Sequence, residues 1–131
     1  MRGGSFWRPE RASWAAGDPK GLHAALDSSG GSMFINLTEE ASSLPQAWRS
    51  KILGRTGGAN IKIIRMDEAG IPTESHADFD EGFLVVEGHM TLEIEGRHIA
   101  MKAGDFYLVP AGQPHSVLPG ARGVLFLIDA E

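Results

Sequence analysis

The sequence predicts an all-β protein, an antiparallel sandwich or barrel. After Asn60 the chain is a succession of short runs rich in β-forming residues. Gly- and Pro-containing turns separate these runs at regular intervals. No long helical or heptad periodicity competes with them. At 131 residues the chain has the length of one ordinary domain.

Met1 to Ser32 stands apart as an irregular extension rich in Gly, Ser, Ala and Arg, with a short helical turn expected near Leu22 to Leu26. It ends in the linker-like run Ser28-Ser29-Gly30-Gly31-Ser32, and Trp7 and Trp14 are candidate anchors on this subunit or a neighbour. Residues 1–32 are therefore read as a flexible or docking tail and 33–131 as the folded domain. Phe34 to Leu37 reads as a short strand. Ser43 to Leu53 spaces Leu44, Trp48 and Ile52 four apart, which suits a helical turn with Pro45 near its start. The strands follow: Ile61 to Met66, Phe83 to Val86, Thr91 to Glu95, His98 to Lys102, Phe106 to Val109, His115 to Leu118 and Gly123 to Ile128. Gly70-Ile71-Pro72, Gly88, Gly96, Ala103-Gly104 and Ala111-Gly112-Gln113-Pro114 are read as the intervening turns.

Composition excludes several classes. The formal net charge is -5, which argues against a nucleic-acid reader. There is no cysteine, so disulfides, zinc ribbons, iron–sulfur clusters and thiol nucleophiles are all excluded. No run approaches the roughly 20 apolar residues of a membrane span. Met1 to Glu10 has no apolar core of a secretory signal, so the expected setting is cytoplasmic. Phosphate-loop and dinucleotide fingerprints are missing.

Charge is unevenly spread. Between Arg65 and Arg97 there is no Lys or Arg but there are nine acids. A solvated acidic face is the plain reading, and a cation site needs ligands at specific spacing. Glu74 and His76 are two apart, which places both on one face of a strand. Four residues follow, room for a corner, and then comes Glu81. Far downstream, Pro110-Ala111-Gly112 forms a turn that would return His115 beside the first segment. Two imidazoles and two carboxylates make a mixed nitrogen and oxygen site suited to iron, manganese, nickel, zinc or copper.

This spacing resembles the cupin superfamily of small β-barrels. Its first motif has two ligands two apart, four residues, Glu, six residues and Gly, matched here by Glu74, His76, Glu81 and Gly88. Its second is matched by Gly104, Pro110, Gly112 and His115, although Pro119 stands where Asn is common. The text "DEGFLVVEG" and "GDFYLVPAGQPH" is similar too, and the resemblance runs from about Met33 to Glu131. It implies an antiparallel jelly-roll barrel with Glu74, His76, Glu81 and His115 around a divalent transition metal. The family usually has His where this chain has Glu74. A rival register would take His76 and Asp78 as the first pair. If Glu74 faces solvent, His76, Glu81 and His115 leave a two-His, one-carboxylate set with open positions.

His23, His89 and His98 are read as surface residues, Asp78 and Asp80 as exposed turn acids, and Phe83 and Tyr107 as core. The resemblance implies a metalloenzyme acting on a small organic molecule, of dioxygenase or isomerase type, with catalytic residues unassigned. The alternative is a non-catalytic barrel that binds or senses a small molecule or metal. A homodimer is expected, with neither nucleic acid nor membrane as a partner.

Overall fold

The computed structural model describes residues 33–131. The expectations for Trp7, Trp14, His23 and the turn near Leu22 to Leu26 lie outside the described residues. Among the described residues one helix precedes eight strands: α1 (Leu37–Ser42), β1 (Lys51–Thr56), β2 (Ala59–Met66), β3 (Ile71–Glu74), β4 (Glu81–Ile94), β5 (Arg97–Lys102), β6 (Phe106–Val109), β7 (His115–Val117) and β8 (Arg122–Asp129). The strand pairings among the described residues are all antiparallel.

The long strand β4 organises the barrel. On one edge its first half pairs with β6 and its second half with β5. On the other edge the first half pairs with β8 and the second with β7. The sheet then continues from β8 through β2 to β1, and from β7 to β3. Alternation along β4, β2 and β8 sends one set of side chains inward. Phe83, Val85, Met90, Leu92, Ile94, Leu125 and Ile64 form a single core with Val109 and Val117. Each such side chain contributes about 1.5–3 kcal/mol when fully buried.

The N-terminal expectations need correction. Phe34 and Ile35 are not in a strand, and Leu37 opens α1. The Asn36 side chain accepts a hydrogen bond from the Glu39 amide at 3.0 Å, which is a helix start. Glu39 and Glu40 in the first turn favour the same helix end. Ser43 to Leu53 is not helical: Lys51 already belongs to β1. Trp48 has a φ of 67°, its amide donates to the Arg65 carbonyl at 2.9 Å, and its indole N–H donates to Asp67 Oδ1 at 2.7 Å. The Arg65 guanidinium donates twice to the Leu44 carbonyl, at 3.2 and 3.1 Å. These bonds across β2 outcompete a local helix whose only sequence support is four-residue spacing.

Two turn assignments also change. Ile71 and Pro72 lie in β3, where Pro is tolerated because β3 ends the sheet order. Gly88 is not a turn: it sits inside β4, so the two expected strands are one. A register shift between Val85 and Glu87 marks a bulge there. Gly88 faces Gly123 of β8, and a Cβ on either would lie 2.0 Å from the Arg122 carbonyl oxygen or 1.9 Å from that of Glu87. Both also have positive φ, +85° and +117°. Only glycine permits β4 and β8 to approach this closely at the bulge.

This close approach is testable. Gly88→Ala and Gly123→Ala should each destabilise the protein by more than about 2 kcal/mol in urea unfolding. Gly96→Ala, at a φ of +80° but with nothing within 4 Å of the added Cβ, should cost about 1 kcal/mol.

Candidate metal centre

The elements place the site at one end of the barrel. β3 ends at Glu74, which pairs with His115 at the start of β7. Glu81 opens β4. His76 lies just past β3 rather than in it, so its position does not follow from strand alternation. Instead the Pro110-x-Gly112 turn holds it: the Gly112 amide donates to the His76 carbonyl at 2.7 Å. The Ala111 amide donates to Asp80 Oδ1 at 2.9 Å in the same place. Asp80 is therefore half-buried and part of this clamp, not an exposed turn acid.

One donor atom from each of Glu74, His76, Glu81 and His115 lies within 4.8 Å of all the others. His115 Nε2 is 3.2 Å from Glu81 Oε1 and 3.9 Å from Glu74 Oε2. His76 Nε2 is 3.4 Å from Glu81 Oε1 and 3.8 Å from Glu74 Oε2. Bonds of about 2.0–2.2 Å to one ion put neighbouring ligands roughly 3.0–3.5 Å apart. The spacing and the donor chemistry thus fit a common cation. Asp78 is exposed and outside this group, so the rival register finds no support.

Burial grades the four. Glu81 and His115 are buried, His76 is 23% exposed and Glu74 39% exposed, counted on side chains. Phe83 packs edge-on to His115 with ring centroids 5.6 Å apart, and Phe79 stacks on His76 at 4.7 Å. Phe83 is core, as expected, and also a wall of the site. His89 and His98 are exposed.

His115 is oriented by a second bond. Its Nδ1–H donates to the Gln113 carbonyl at 2.9 Å, which directs Nε2 at the carboxylates. Burial alone pushes the His115 imidazole down. The hydrogen bonds to Glu81 and Gln113, with the Glu81 and Glu74 charges, outweigh burial and hold it above the usual histidine value. The pocket attracts positive charge.

A cavity of about 280 Å³ opens from Glu74, His76 and Glu81. Trp48, Ile64, Ile71 and Leu127 supply apolar wall, and Lys62, Asp129 and Glu131 line it as well. Sequence reasoning missed this second polar group. Lys62 Nζ donates to Asp129 Oδ2 and Glu131 Oε1, both at 2.8 Å, and Asn60 Nδ2 donates to Asp129 Oδ1 at 3.1 Å. The signal was available: a lone Lys among isoleucines, sharing the inner face with Ile64.

An antiparallel barrel with a His/Glu cluster at one end defines a class, the small β-barrel proteins with a candidate cation site. Residues 63–127 match the cupin domain family, and the chain is a small cupin-domain protein. Over 66 residues it is 33% identical to quercetin 2,3-dioxygenase of Bacillus subtilis, covering 48% of this chain. It spans about a fifth of that relative's length. A cupin-2 domain containing protein from Shewanella frigidimarina superposes with a TM-score of 0.68 at 24% identity, covering 74% of this chain and 94% of that one. A putative mannose-6-phosphate isomerase from Ralstonia eutropha gives 0.65 at 24%, covering 76% and 99%. The structural likenesses establish the fold alone.

The Lys62 network has a pH signature. Burial alone pushes Asp129 up, but the bonds from Lys62 and Asn60 hold it below the usual carboxylate range. Burial alone pushes Lys62 down, but bonds to Asp129 and Glu131 hold it above the usual lysine value. The Asp129 contribution is complete above about pH 3.9 and is lost as pH falls through its lowered value. The Lys62 contribution is complete below about pH 10.4 and is lost as pH rises through its raised value. Lys62→Met strands the Asp129 charge and should cost about 3 kcal/mol at pH 7. The difference from wild type should shrink as urea unfolding is repeated toward pH 3.

Proposed function

We propose that this protein is a metal-dependent enzyme acting on a small organic molecule, of dioxygenase or isomerase type. The supporting observation is the convergence of Glu74, His76, Glu81 and His115 at the end of a small cavity. We assign all four as the ligand set, with iron or manganese the better match because two carboxylates join two imidazoles. A divalent ion bound there supplies a Lewis-acid centre for a substrate oxygen or for O₂.

The remaining work falls to the chain itself. His115, fixed by Gln113, and Glu81, buried beside it, hold their donors in place before anything binds. Trp48, Ile64, Ile71 and Leu127 exclude water from the body of a small substrate. Glu74, the most exposed of the four, is the group nearest solvent and the one suited to exchange a proton with a substrate. Oxygenase chemistry is favoured by the likeness to the Bacillus subtilis protein, and isomerase chemistry by the name of the Ralstonia eutropha neighbour.

A homodimer and a cytoplasmic setting belong to the same proposal. Leu108 and Ile128 flank Gly82 from its two neighbouring strands, and Phe106 lies over Gly82. Phe106 is 54% exposed, Leu108 52% and Ile128 36%, on the outer face of the barrel. A contiguous exposed apolar patch of this kind suits self-association.

Metal content, measured by plasma mass spectrometry on protein purified without a nickel column, tests the reading. About one ion per chain is expected, and His76→Ala, Glu81→Ala and His115→Ala should lose most of it. Glu74→Ala separates its two roles: loss of metal makes it a ligand, while retained metal with lost turnover makes it the proton carrier. A folded wild type that takes up none of iron, manganese, nickel, zinc or copper would overturn the proposal. Light scattering should give twice the 14.1 kDa chain mass, and Phe106→Asp with Leu108→Asp should return it to monomer.

A further inference from the structure

Lys62 projects inward from β2 and is 7% exposed, with Asp129 at 4% and Asn60 at 3%. Its neighbours on that face are Asn60 and the apolar Ile64, and Leu127 stands opposite it on β8. Stability gives little reason for a charge here. A buried ion pair commonly does no better than apolar residues of similar volume. Lys62 also opens onto the cavity that the His/Glu cluster lines. Gly82 pairs with Ile128, so one step toward the strand ends Glu81 and Asp129 fall opposite each other. The ammonium group is thus held beside the candidate metal centre rather than in a separate part of the barrel.

Its two carboxylate partners differ. Asp129 is buried and doubly tied, to Lys62 and to Asn60. The Glu131 side chain is 64% exposed, and its carboxylate meets Lys62 at 2.8 Å from the solvent side. Only the Glu131 half of this pair is open to solvent, so it is the partner more readily exchanged. The group seated on Lys62 from that side is a carboxylate, which identifies the chemistry the position accepts.

We propose that Lys62 binds a carboxylate of the substrate, and that the Glu131 carboxylate holds that place when no ligand is present. Asp129 and Asn60 are positioning residues that aim the ammonium group into the cavity. The substrate class is then a small organic acid with a second oxygen function, because the cavity of about 280 Å³ has the volume of roughly nine waters at ~30 Å³ each. One oxygen function faces the His/Glu cluster while the carboxylate meets Lys62. This inference deepens the metalloenzyme reading above and rests on it for the role of that first oxygen.

Calorimetric titration tests it, using malonate, succinate and glutarate against their monoamides on the manganese-loaded protein. At least one dicarboxylate should bind ten-fold or more tightly than its monoamide. Lys62→Met should erase that preference, and Glu131→Gln should tighten dicarboxylate binding several-fold by removing the competing carboxylate. Metal content should stay at the wild-type level in both. If Lys62→Met does not fold, Lys62→Met with Asp129→Asn leaves no stranded charge and serves instead. No preference in the wild type, or a preference that survives loss of Lys62, would sink the inference while leaving the metal reading intact. If the wild type retains no metal, the same comparison on metal-free protein with propionate against propionamide decides it. A Lys62-dependent preference supports the carboxylate site, and none overturns it.

Discussion

One backbone hydrogen bond, from the Gly112 amide to the His76 carbonyl at 2.7 Å, joins the two stretches of chain that build the site. His76 and Glu81 lie on one side of it and His115 on the other. His76 is outside any strand, so no ladder holds it. The turn at Pro110 to Gly112 does so instead, and the Ala111 amide fastens the same turn to Asp80. His115 enters β7 directly after that turn and opposite Glu74. Four donors separated by as many as 41 positions in the chain therefore depend on the seating of one three-residue turn.

That seating in turn depends on β4. Its fourteen residues carry partners on both edges along both halves. The closest approach is at Gly88 and Gly123, where no side chain fits. The bulge beside it lets the second half of β4 meet β5 and β7 while the first half meets β6 and β8. A strand broken by a turn at Gly88 would not give one continuous edge, and Glu81 and the β7 residues would lose their common frame.

The interior holds two polar groups where an inert barrel would hold apolar side chains. No buried side-chain nitrogen or oxygen among the described residues lacks a partner. The Lys62 network is closed by Asp129, Asn60 and Glu131, and the His/Glu group is closed by Gln113 and by its own members. The two differ in make-up. The first neutralises one fixed ammonium group with two carboxylates, and the second gathers carboxylates around two imidazoles and raises the His115 proton affinity.

Local sequence was enough for the all-β class, for six of the eight strands in outline and for the membership of the His/Glu group. Strand alternation and turn residues act over a few positions, and motif spacing records directly the two stretches that bring the His/Glu group. Local signals failed where long-range bonds won. Ser43 to Leu53 has helical spacing, but Trp48 and Arg65 bind across β2 and hold it irregular. Gly88 has the composition of a turn, but only the facing Gly123 shows why glycine is needed inside a strand. Asp80 reads as a surface acid until the Ala111 amide arrives from 31 residues away. Lys62 was visible as a lone charge in an apolar strand, yet its role required Asp129 and Glu131, more than 60 residues on. The sequence by itself determined which residues make up the His/Glu group. The tertiary structure decided which of them share a cavity, because only chain closure sets the distances between groups remote in sequence.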